Sequence, residues 1–309
     1  MRIVVALGGN ALGNTPSEQS ELVKNTADSL VDLINEGHEL CIVHGNGPQV
    51  GMIQGAFDAA SRAGDTPIMP LPECGAMSQG YIGFHLQNAL INRLKATGTN
   101  RSVATIVTQT KVAKDDPAFD APTKPIGPFY SSEAAIKQQQ KHLLLPYVED
   151  SGRGYRFVVA SPKPTGFAEE ASIKTLVDAG QVIIASGGGG IPVYEDQGML
   201  NGISAVIDKD ASSAKMAELI DADLLVILTA VDKVKINFAT PEEQSLDAMT
   251  SEEAMKHLTA GQFAAGSMKP KVEAALDFLK QKPSSKAIIA ALEDAYDAVV
   301  NTAGTTITK

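Results

Sequence analysis

Three lysines of this sequence occupy settings that could hold a positive charge in place. Lys209 lies in Asp208-Lys209-Asp210, where two neighbouring carboxylates keep a lysine charged and fix its position. Lys271 lies at the start of a predicted helix, where the helix dipole disfavours a cation unless an anion binds there too. Lys124 lies in a Pro-Thr-Lys-Pro motif, whose prolines make the loop rigid. A lone loop lysine is usually solvated, but together the three suggest a clamp for a phosphoryl group.

Glycine-rich turns follow three of the predicted strands directly. They are Gly8-Gly9-Asn10, Gly45-Asn46-Gly47 and Gly187-Gly188-Gly189-Gly190. In a parallel sheet the carboxyl ends of the strands meet at one edge, which is where ligands bind. Glycine lets the backbone approach a phosphate closely, and the N–H groups of the following helix point towards it. Three such turns at one edge are stronger evidence for a phosphate site than a single one, and Asn10 and Asn46 add neutral donors.

Several well-known motifs are absent from the sequence. It has no G-x-x-x-x-G-K-[ST] P-loop, no set of protein-kinase loops and no G-x-S-x-G nucleophile elbow. The five histidines have no metal-ligand spacing, and each is expected to be a surface or hydrogen-bonded residue. Cys41 and Cys74 form no CxxC pair, which indicates a reducing compartment and argues against a zinc site. The sequence therefore predicts a site without protein metal ligands and without a histidine base.

The composition limits the partners of the chain. Its 309 residues include 36 acidic and 26 basic ones, which gives a net charge of −10. This balance argues against a general nucleic-acid binder, but a few local cations would still suffice for a small anionic substrate. No apolar run approaches ~18 residues, so no membrane span is expected. The first apolar run is too short for a secretion signal, so we expect a cytoplasmic location.

Short apolar runs alternate with amphipathic stretches along most of the chain. Continuous runs rich in valine and isoleucine are typical of strands covered on both faces, and they predict strands at Ile3–Leu7, Leu40–Val43, Val103–Thr108, Phe157–Ala160, Val182–Ala185, Leu224–Leu228 and Ala287–Ala290. Apolar residues at helical spacing predict helices at Glu18–Glu36, Gln79–Leu94, Glu169–Ala179, Ala211–Leu219 and Val272–Leu279. Strands that alternate with helices predict an α/β fold with a mainly parallel sheet between helices.

One segment departs from this alternation. From Lys111 to Lys163 the chain carries many of its prolines and the polar run Lys137–Lys141. A long irregular segment inside an α/β fold is more often an inserted subdomain or lid than a crossover of the sheet. We therefore expect a single domain over residues 1–309, with residues 111–163 as an inserted, protruding lid subdomain that carries Lys124.

The motifs of this sequence resemble those of the carbamate kinases, which have the amino-acid kinase fold. The glycine-rich turns are shared with the wider fold. Two other motifs are much more specific and favour the carbamate kinases: Ala76-Met77-Ser78-Gln79-Gly80 and Thr123-Lys124-Pro125-Ile126-Gly127-Pro128. The resemblance extends from the first strand to about Leu279 and includes Ser161-Pro162-Lys163-Pro164, Asp208-Lys209-Asp210, and Gly266-Ser267-Met268 with Pro270-Lys271. It implies a three-layer αβα sandwich, a homodimer and reversible phosphoryl transfer between ATP and carbamate, often used to make ATP from carbamoyl phosphate and ADP in arginine breakdown.

The resemblance also implies roles for individual residues. Lys209 and Lys271 would neutralise charge on the transferring group, and Asp210 would orient both lysines. Lys124 would reach carbamate from the lid subdomain. The transferred phosphoryl group and carbamate would be held by Gly8, Gly9, Asn10, Gly45, Asn46 and Gly47, and the nucleotide by Thr229, Ala230, Val231 and Met268. Magnesium would be bound mainly by the phosphates of ATP, without protein ligands.

The residue types agree with this chemistry independently of the resemblance. Carbamate is already an anion with a nucleophilic oxygen, so its phosphorylation needs positioning and charge neutralisation but no catalytic base. Two alternatives remain open. A kinase of another small carboxylate or phosphonate, on the same fold, would need a roomier pocket with a group for the larger substrate. A non-catalytic nucleotide-binding module would explain the glycines but would leave Lys124, Lys209 and Lys271 without a role.

Overall fold

Strands and helices alternate through most of the computed structural model, which describes residues 1–8, 12–13, 15–143, 145–150, 154–301 and 303–309. The strands are β1 (Arg2–Leu7), β2 (Glu39–His44), β3 (Val103–Thr105), β4 (Gln109–Lys111), β5 (Lys124–Tyr130), β6 (Tyr147–Glu149), β7 (Tyr155–Val159), β8 (Gly166–Phe167), β9 (Val182–Ile184), β10 (Ile191–Asp196), β11 (Met199–Gly202), β12 (Leu224–Thr229), β13 (Val234–Ile236), β14 (Gln244–Leu246), β15 (Ala248–Thr250), β16 (Lys286–Ala291) and β17 (Thr305–Thr308). The helices are α1 (Pro16–Asn35), α2 (Gly47–Ala63), α3 (Leu71–Ala96), α4 (Glu133–Leu143), α5 (Glu170–Asp178), α6 (Lys209–Leu219), α7 (Ser251–Thr259), α8 (Met268–Gln281) and α9 (Ala295–Val300). None of these helices is both long and apolar enough to cross a membrane.

A large, mainly parallel sheet forms the centre of the described structure. Its strand order is β15-β17-β16-β12-β1-β2-β9-β3, in which β16 and β17 pair antiparallel. β1 lies between β12 and β2, with Val5 opposite Val226 on one side and Ile42 on the other. Every residue from Ile3 to Leu7 is buried, as expected for a strand covered on both faces. The carboxyl ends of β1, β2, β9 and β12 therefore reach the same edge of the sheet.

Alternate residues of the central strands face two separate apolar cores. Val4 and Ala6 of β1 pack in a core with α5, α6, α7 and α8. Ile3, Val5 and Leu7 pack in the other core, with α1, α3 and α9. Helices thus cover both faces of the sheet, which confirms the predicted α/β fold in three layers.

A separate antiparallel sheet lies within the segment expected to be inserted. Its strand order is β5-β7-β6. With α4 it forms a small apolar cluster, in which Ile126, Ile136 and Phe157 pack with Val50 of α2. The predicted strand Phe157–Ala160 thus belongs to β7 of this sheet and not to the central one, because β7 pairs with its sequence neighbours. Of the remaining strands, β11-β10-β4-β8 form a mixed sheet and β13-β14 a hairpin.

Some elements differ from the sequence prediction. Helices α2, α4, α7 and α9 lie where no helix was predicted, and in α2 the interior glycines Gly51 and Gly55 weaken the helical pattern. Gly51 lets α2 approach β5 closely, since a Cβ atom there would lie 2.9 Å from Gly127 Cα. β3 ends at Thr105 and not at Thr108, because the backbone N–H and C=O of Thr108 bind the side chain of Gln79.

Candidate active site

The first two glycine-rich turns continue the edge of the central sheet. Gly8 N donates to Leu228 O at 3.1 Å, and Gly45 N donates to Leu7 O at 3.0 Å. Both glycines therefore extend the parallel hydrogen bonding by one residue and lie beside each other. A Cβ atom on Gly8 would lie only 3.0 Å from Leu228 O, so the close approach of these strands favours glycine.

The second turn leads directly into α2, which begins at Gly47. The N–H groups of its first turn carry partial positive charge, which suits an anion. Asn46 is only 8% exposed, and its Nδ2 donates to Ser78 Oγ at 2.9 Å. This bond connects the Asn46 side chain to α3. Of the predicted substrate-binding residues, Gly9 and Asn10 lie outside the described residues.

The third glycine-rich turn packs against the second. Three of its four glycines have a positive φ, which side chains rarely adopt. A side chain at Gly187 would also collide with the imidazole of His44, and one at Gly188 with the carboxamide of Asn46. The second and third glycine-rich turns therefore meet at the sheet edge that Gly8 also reaches. The third turn needs glycine both for its backbone conformation and for this close packing.

One carboxylate holds two of the three predicted lysines. Asp210 Oδ1 accepts a hydrogen bond from Lys209 Nζ, and Asp210 Oδ2 accepts one from Lys271 Nζ at 3.1 Å. The side chain of Asp210 is 4% exposed and each lysine side chain 13%. Lys209 begins α6 and Lys271 lies in the first turn of α8, so two helix N-termini meet here. Two ammonium groups and two positive helix ends around one carboxylate suit a ligand with more than one negative charge.

Lys124 reaches the same motif but has a different partner. From the start of β5, its Nζ donates to Asp208 Oδ2 at 2.6 Å. Asp208 also caps α6, because its Oδ1 accepts from Asp210 N at 2.8 Å. The sequence suggested that both acids of the motif hold Lys209, whereas the structure pairs Asp208 with a lysine 84 residues away. An ion pair therefore connects the inserted segment to the start of α6.

Burial and pairing shift the pKa values of these groups. Burial lowers the pKa of Lys209 below its ordinary value of 10.5, although the Asp210 carboxylate opposes this shift. Burial alone would raise the pKa of Asp208, but the Lys124 and Lys209 charges and the backbone N–H of Asp210 together lower it to about 2. Asp208 therefore stays ionised at neutral pH, and Lys209 loses its proton more readily than an ordinary lysine.

His44 is a residue of this edge that the sequence did not indicate as functional. It ends β2, is fully buried, and its Nδ1 donates to Gly45 O at 2.7 Å. Its Nε2 has no hydrogen-bond partner among the described residues and lies next to Gly187. Burial lowers the pKa of His44 to about 4, so its imidazole is neutral at pH 7. The expectation of a surface or hydrogen-bonded histidine is therefore met by Nδ1 but not by Nε2. The position of His44 directly before a glycine-rich turn was the available signal.

The residues expected to line the nucleotide site lie at the end of the neighbouring strand. Thr229 is the last residue of β12, which pairs with β1. Ala230 and Val231 follow it and are exposed. Met268 is half-buried and begins α8, the helix that carries Lys271. An accessible stretch of chain thus lies at the sheet edge next to the strand of Gly8, where a nucleotide could bind.

Carboxylates of this edge are already paired with lysines. Asp208 binds Lys124, and Asp210 binds Lys209 and Lys271. Across the described ranges, no three His, Cys, Asp or Glu side chains are grouped so that they could hold a metal ion. This arrangement fits a metal ion that is carried by the phosphates of a bound nucleotide better than one held by the protein.

Comparisons with known proteins agree with this fold. Residues 1–290 match the model of the amino acid kinase family. The carbamate kinase of Staphylococcus haemolyticus (strain JCSC1435) is 52% identical over 308 residues, which cover 100% of this chain and 99% of that relative. The carbamate kinase-like protein YqeA of Escherichia coli (strain K12) is 51% identical over 307 residues, which cover 99% and 98%. A structure of carbamate kinase from Giardia lamblia bound to AMP-PNP matches with a TM-score of 0.91 and 39% identity, covering 100% of this chain and 98% of that one.

The chain therefore belongs to the amino acid kinase family. Relatives named carbamate kinase match it along its whole length, which confirms the resemblance read from the motifs. The close match of the solved structure also confirms the fold class, with a mainly parallel central sheet and helices on both faces.

Proposed function

We propose that this chain has carbamate kinase activity, the reversible transfer of a phosphoryl group between ATP and carbamate. The observation that carries the proposal is the Asp210 carboxylate, which holds the ammonium groups of Lys209 and Lys271 where α6 and α8 begin. Glycine-rich turns bring main-chain N–H groups to the same sheet edge. The relatives that match the full chain bear the name of this activity.

The site supplies positioning and charge neutralisation for an in-line transfer. A carbamate oxygen attacks the phosphorus atom while the ADP oxygen leaves, and negative charge spreads over the phosphoryl oxygens. Lys209 and Lys271 neutralise that charge, and Asp210 keeps both ammonium groups in place before the reaction begins. Lys124 contacts carbamate. No residue has to remove a proton, because carbamate is already an anion.

The remaining predicted site residues bind the two substrates. The phosphoryl group and carbamate bind at Gly8, Gly9, Asn10, Gly45, Asn46 and Gly47, beside the start of α2. The nucleotide lies against Thr229, Ala230, Val231 and Met268. Mg²⁺, when bound with the nucleotide, would neutralise part of the phosphate charge and would be held mainly by the phosphates, since Asp208 and Asp210 are paired with lysines.

Residues 111–163 act as a lid within the single domain. Their sheet, β5-β7-β6, is separate from the central one, and the Lys124–Asp208 ion pair connects it to the active site. Closure over bound carbamoyl phosphate would keep water out during transfer. Limited proteolysis should therefore cut this segment more slowly when ADP and carbamoyl phosphate are present. Equal cleavage with and without both ligands would contradict closure.

The functional unit is a homodimer. Two exposed apolar side chains support an interface beside α3, Phe84 on the helix and Val107 just after β3, 61% and 53% exposed. The helix and the strand are in close contact there, since a Cβ atom on Gly83 would collide with Thr105. Light scattering should give twice the mass of the 32.4 kDa chain at micromolar concentration, and a monomer would contradict this assignment.

In the cell we place this activity in the cytoplasm, where it makes ATP from carbamoyl phosphate and ADP during arginine breakdown. The two cysteines, Cys41 and Cys74, are both free thiols and buried, which agrees with a reducing compartment.

A coupled assay for ATP tests the reaction directly. Purified protein with Mg²⁺, ADP and carbamoyl phosphate should form ATP, and the rate should fall to background when the metal is chelated. Other acyl phosphates and phosphorylated phosphonates, tested in parallel, should give far lower rates. If carbamoyl phosphate gives no transfer and another donor gives rapid transfer, the substrate of this enzyme is another small acid and not carbamate.

A further inference from the structure

A buried amide of α3 connects the third glycine-rich turn to the segment after β3. Gln79 is 1% exposed, and all three bonds of its carboxamide go to main-chain atoms. Its Oε1 accepts from Thr108 N at 2.8 Å, and its Nε2 donates to Thr108 O and to Gly187 O, both at 3.1 Å. The carboxamide thus makes the two main-chain hydrogen bonds of Thr108 that a neighbouring strand would otherwise make. It also binds the main chain of the third glycine-rich turn at Gly187.

The turn that Gln79 binds has an unusual backbone that its surroundings must hold. Ser186 has a φ of +51°, and the last three glycines have φ values between +67° and +92°. Two threonine hydroxyls fix its ends, since Thr108 Oγ1 accepts from Ser186 N at 2.8 Å and Thr110 Oγ1 donates to Gly189 O at 2.7 Å. Such a conformation persists only where several bonds determine it, and Gln79 supplies the bond at Gly187.

The same network reaches the proposed catalytic groups on two sides. On one side, Ser186 Oγ and Ser212 Oγ are 2.6 Å apart, and Ser212 lies in the first turn of α6. On the other side, Ser78, the neighbour of Gln79, accepts from the Asn46 carboxamide that packs against the turn. A shift of the turn would therefore move α6, which carries Lys209, relative to Asn46.

We infer that Gln79 is a positioning residue of this active site, an inference that rests on the proposed function. It touches no reacting group. It sets the distance between the second glycine-rich turn and the start of α6 by fixing the main chain at Gly187 and Thr108. A misplacement of about 1 Å at a reacting centre can cost roughly 100-fold in rate, so loss of this bond affects the chemical step.

Gln79→Met and Gln87→Met form the matched test. Gln87 lies two turns further along α3, and its Oε1 accepts from Thr105 N at 2.9 Å, so it makes the same kind of bond without touching a glycine-rich turn. Both variants should lower the Tm. Gln79→Met should also lower kcat roughly 10- to 100-fold with little change in the KM for ADP, whereas Gln87→Met should keep kcat near that of wild type.

Thr110→Val gives a second variant for the case that Gln79→Met does not fold. It keeps the side-chain volume and removes the donor to Gly189 O. It should therefore lower kcat with little change in the KM for ADP, as expected for Gln79→Met. If wild-type protein makes ATP and both variants keep the kcat of Gln87→Met, the positioning role is wrong while the proposed function stands. If wild-type protein transfers nothing from carbamoyl phosphate, the proposed function itself is wrong.

Discussion

Two ion-paired groups meet in the motif Asp208-Lys209-Asp210, and they differ in what holds them. Asp210 and its two lysines are at most 13% exposed and belong to α6 and α8, which pack on the central sheet. Asp208 and Lys124 are 22% and 34% exposed, and the lysine belongs to the small sheet of the lid. A buried pair is held by its surroundings, whereas a partly exposed pair separates more easily. The molecule thus combines fixed charges with one charge that can leave its partner.

The elements that carry the Asp210 group are also packed into a larger apolar core than the sheet that carries Lys124. α6 and α8 contribute fully buried side chains such as Met216 and Phe278 to the larger core. The lid is attached through a small cluster that includes Ile126 and Phe157. Movement of the lid would therefore separate Lys124 from Asp208 and leave the Asp210 group intact.

Loss of a fixed cation should have the largest effect. Lys209→Ala or Lys271→Ala should lower kcat by roughly 10²–10³, or about 3–4 kcal/mol, because charge develops on the phosphoryl oxygens only as the bond to the leaving group loosens. Steady-state kinetics measures the loss, with circular dichroism to show that the variants are folded.

Lys269→Ala is the control for these two variants. Lys269 lies two residues from Lys271, is 47% exposed and has Glu273 as its partner at 3.9 Å. Its removal should leave kcat close to that of wild type. Near-normal kcat in Lys209→Ala as well would mean that Lys209 does not stabilise the transferring phosphoryl group.

Loss of the lid cation should have a smaller effect of a different kind. Lys124→Ala should lower kcat/KM for carbamoyl phosphate by roughly 10- to 100-fold, as expected for one charged hydrogen bond, mainly through a higher KM. Kinetics at varied carbamoyl phosphate separates kcat from KM. A loss confined to kcat would show that Lys124 belongs with the fixed charges.

The glycine-rich part of the site could be predicted from the sequence, because its residues follow strands directly. Gly8 comes after β1 and Gly45 after β2, so local pattern indicates that both lie at one edge. Lys209 follows an irregular segment instead, and its meeting with Lys271 on Asp210 joins residues 61 apart in the chain. The segment proposed as a lid stands out in the sequence by its prolines. The sheet that it forms could not be predicted, because a strand pattern such as Phe157–Ala160 does not show which sheet the strand joins.

Contacts between distant segments account for what the sequence could not show. Asp208 pairs with Lys124 across 84 residues, and Gln79 binds Gly187 across 108. A buried amide or imidazole has no periodic signature, so Gln79 was read as part of a motif without a role and His44 as an ordinary histidine. Such partners are fixed by the tertiary fold and not by local propensity.

Acid should remove the stabilisation that Asp208 contributes. Lowering its pKa from 3.8 to about 2 corresponds to about 2 kcal/mol in the free energy of unfolding, present above pH 4 and lost as the pH falls towards 2. Asp208→Asn keeps a helix cap and removes the charge. Urea unfolding should show wild type above the variant near pH 6, with the difference shrinking as the pH falls. A difference that does not depend on pH would contradict an ion-pair origin.

Alkaline pH should reveal the shifted pKa of Lys209. Its ammonium loses the proton below the ordinary value of 10.5, so kcat/KM should fall with rising pH earlier than an exposed lysine would allow. In Lys209→Arg the charge persists, because a guanidinium stays protonated. The alkaline fall should therefore move to higher pH in that variant, whatever its absolute rate. An unchanged profile would assign the fall to another group.

The site depends on the Asp210 carboxylate, and not merely on the presence of two lysines. The direct test compares kcat of Asp210→Asn with kcat of Asp208→Asn, two equal changes in one motif. Asn at position 210 would release Lys209 and Lys271 to unproductive positions, so kcat should fall at least roughly 10²-fold. Asp208→Asn should cost less than about tenfold in kcat, because its partner is the half-exposed lid lysine. Equal losses in both variants, or a near-normal kcat in Asp210→Asn, would contradict the account.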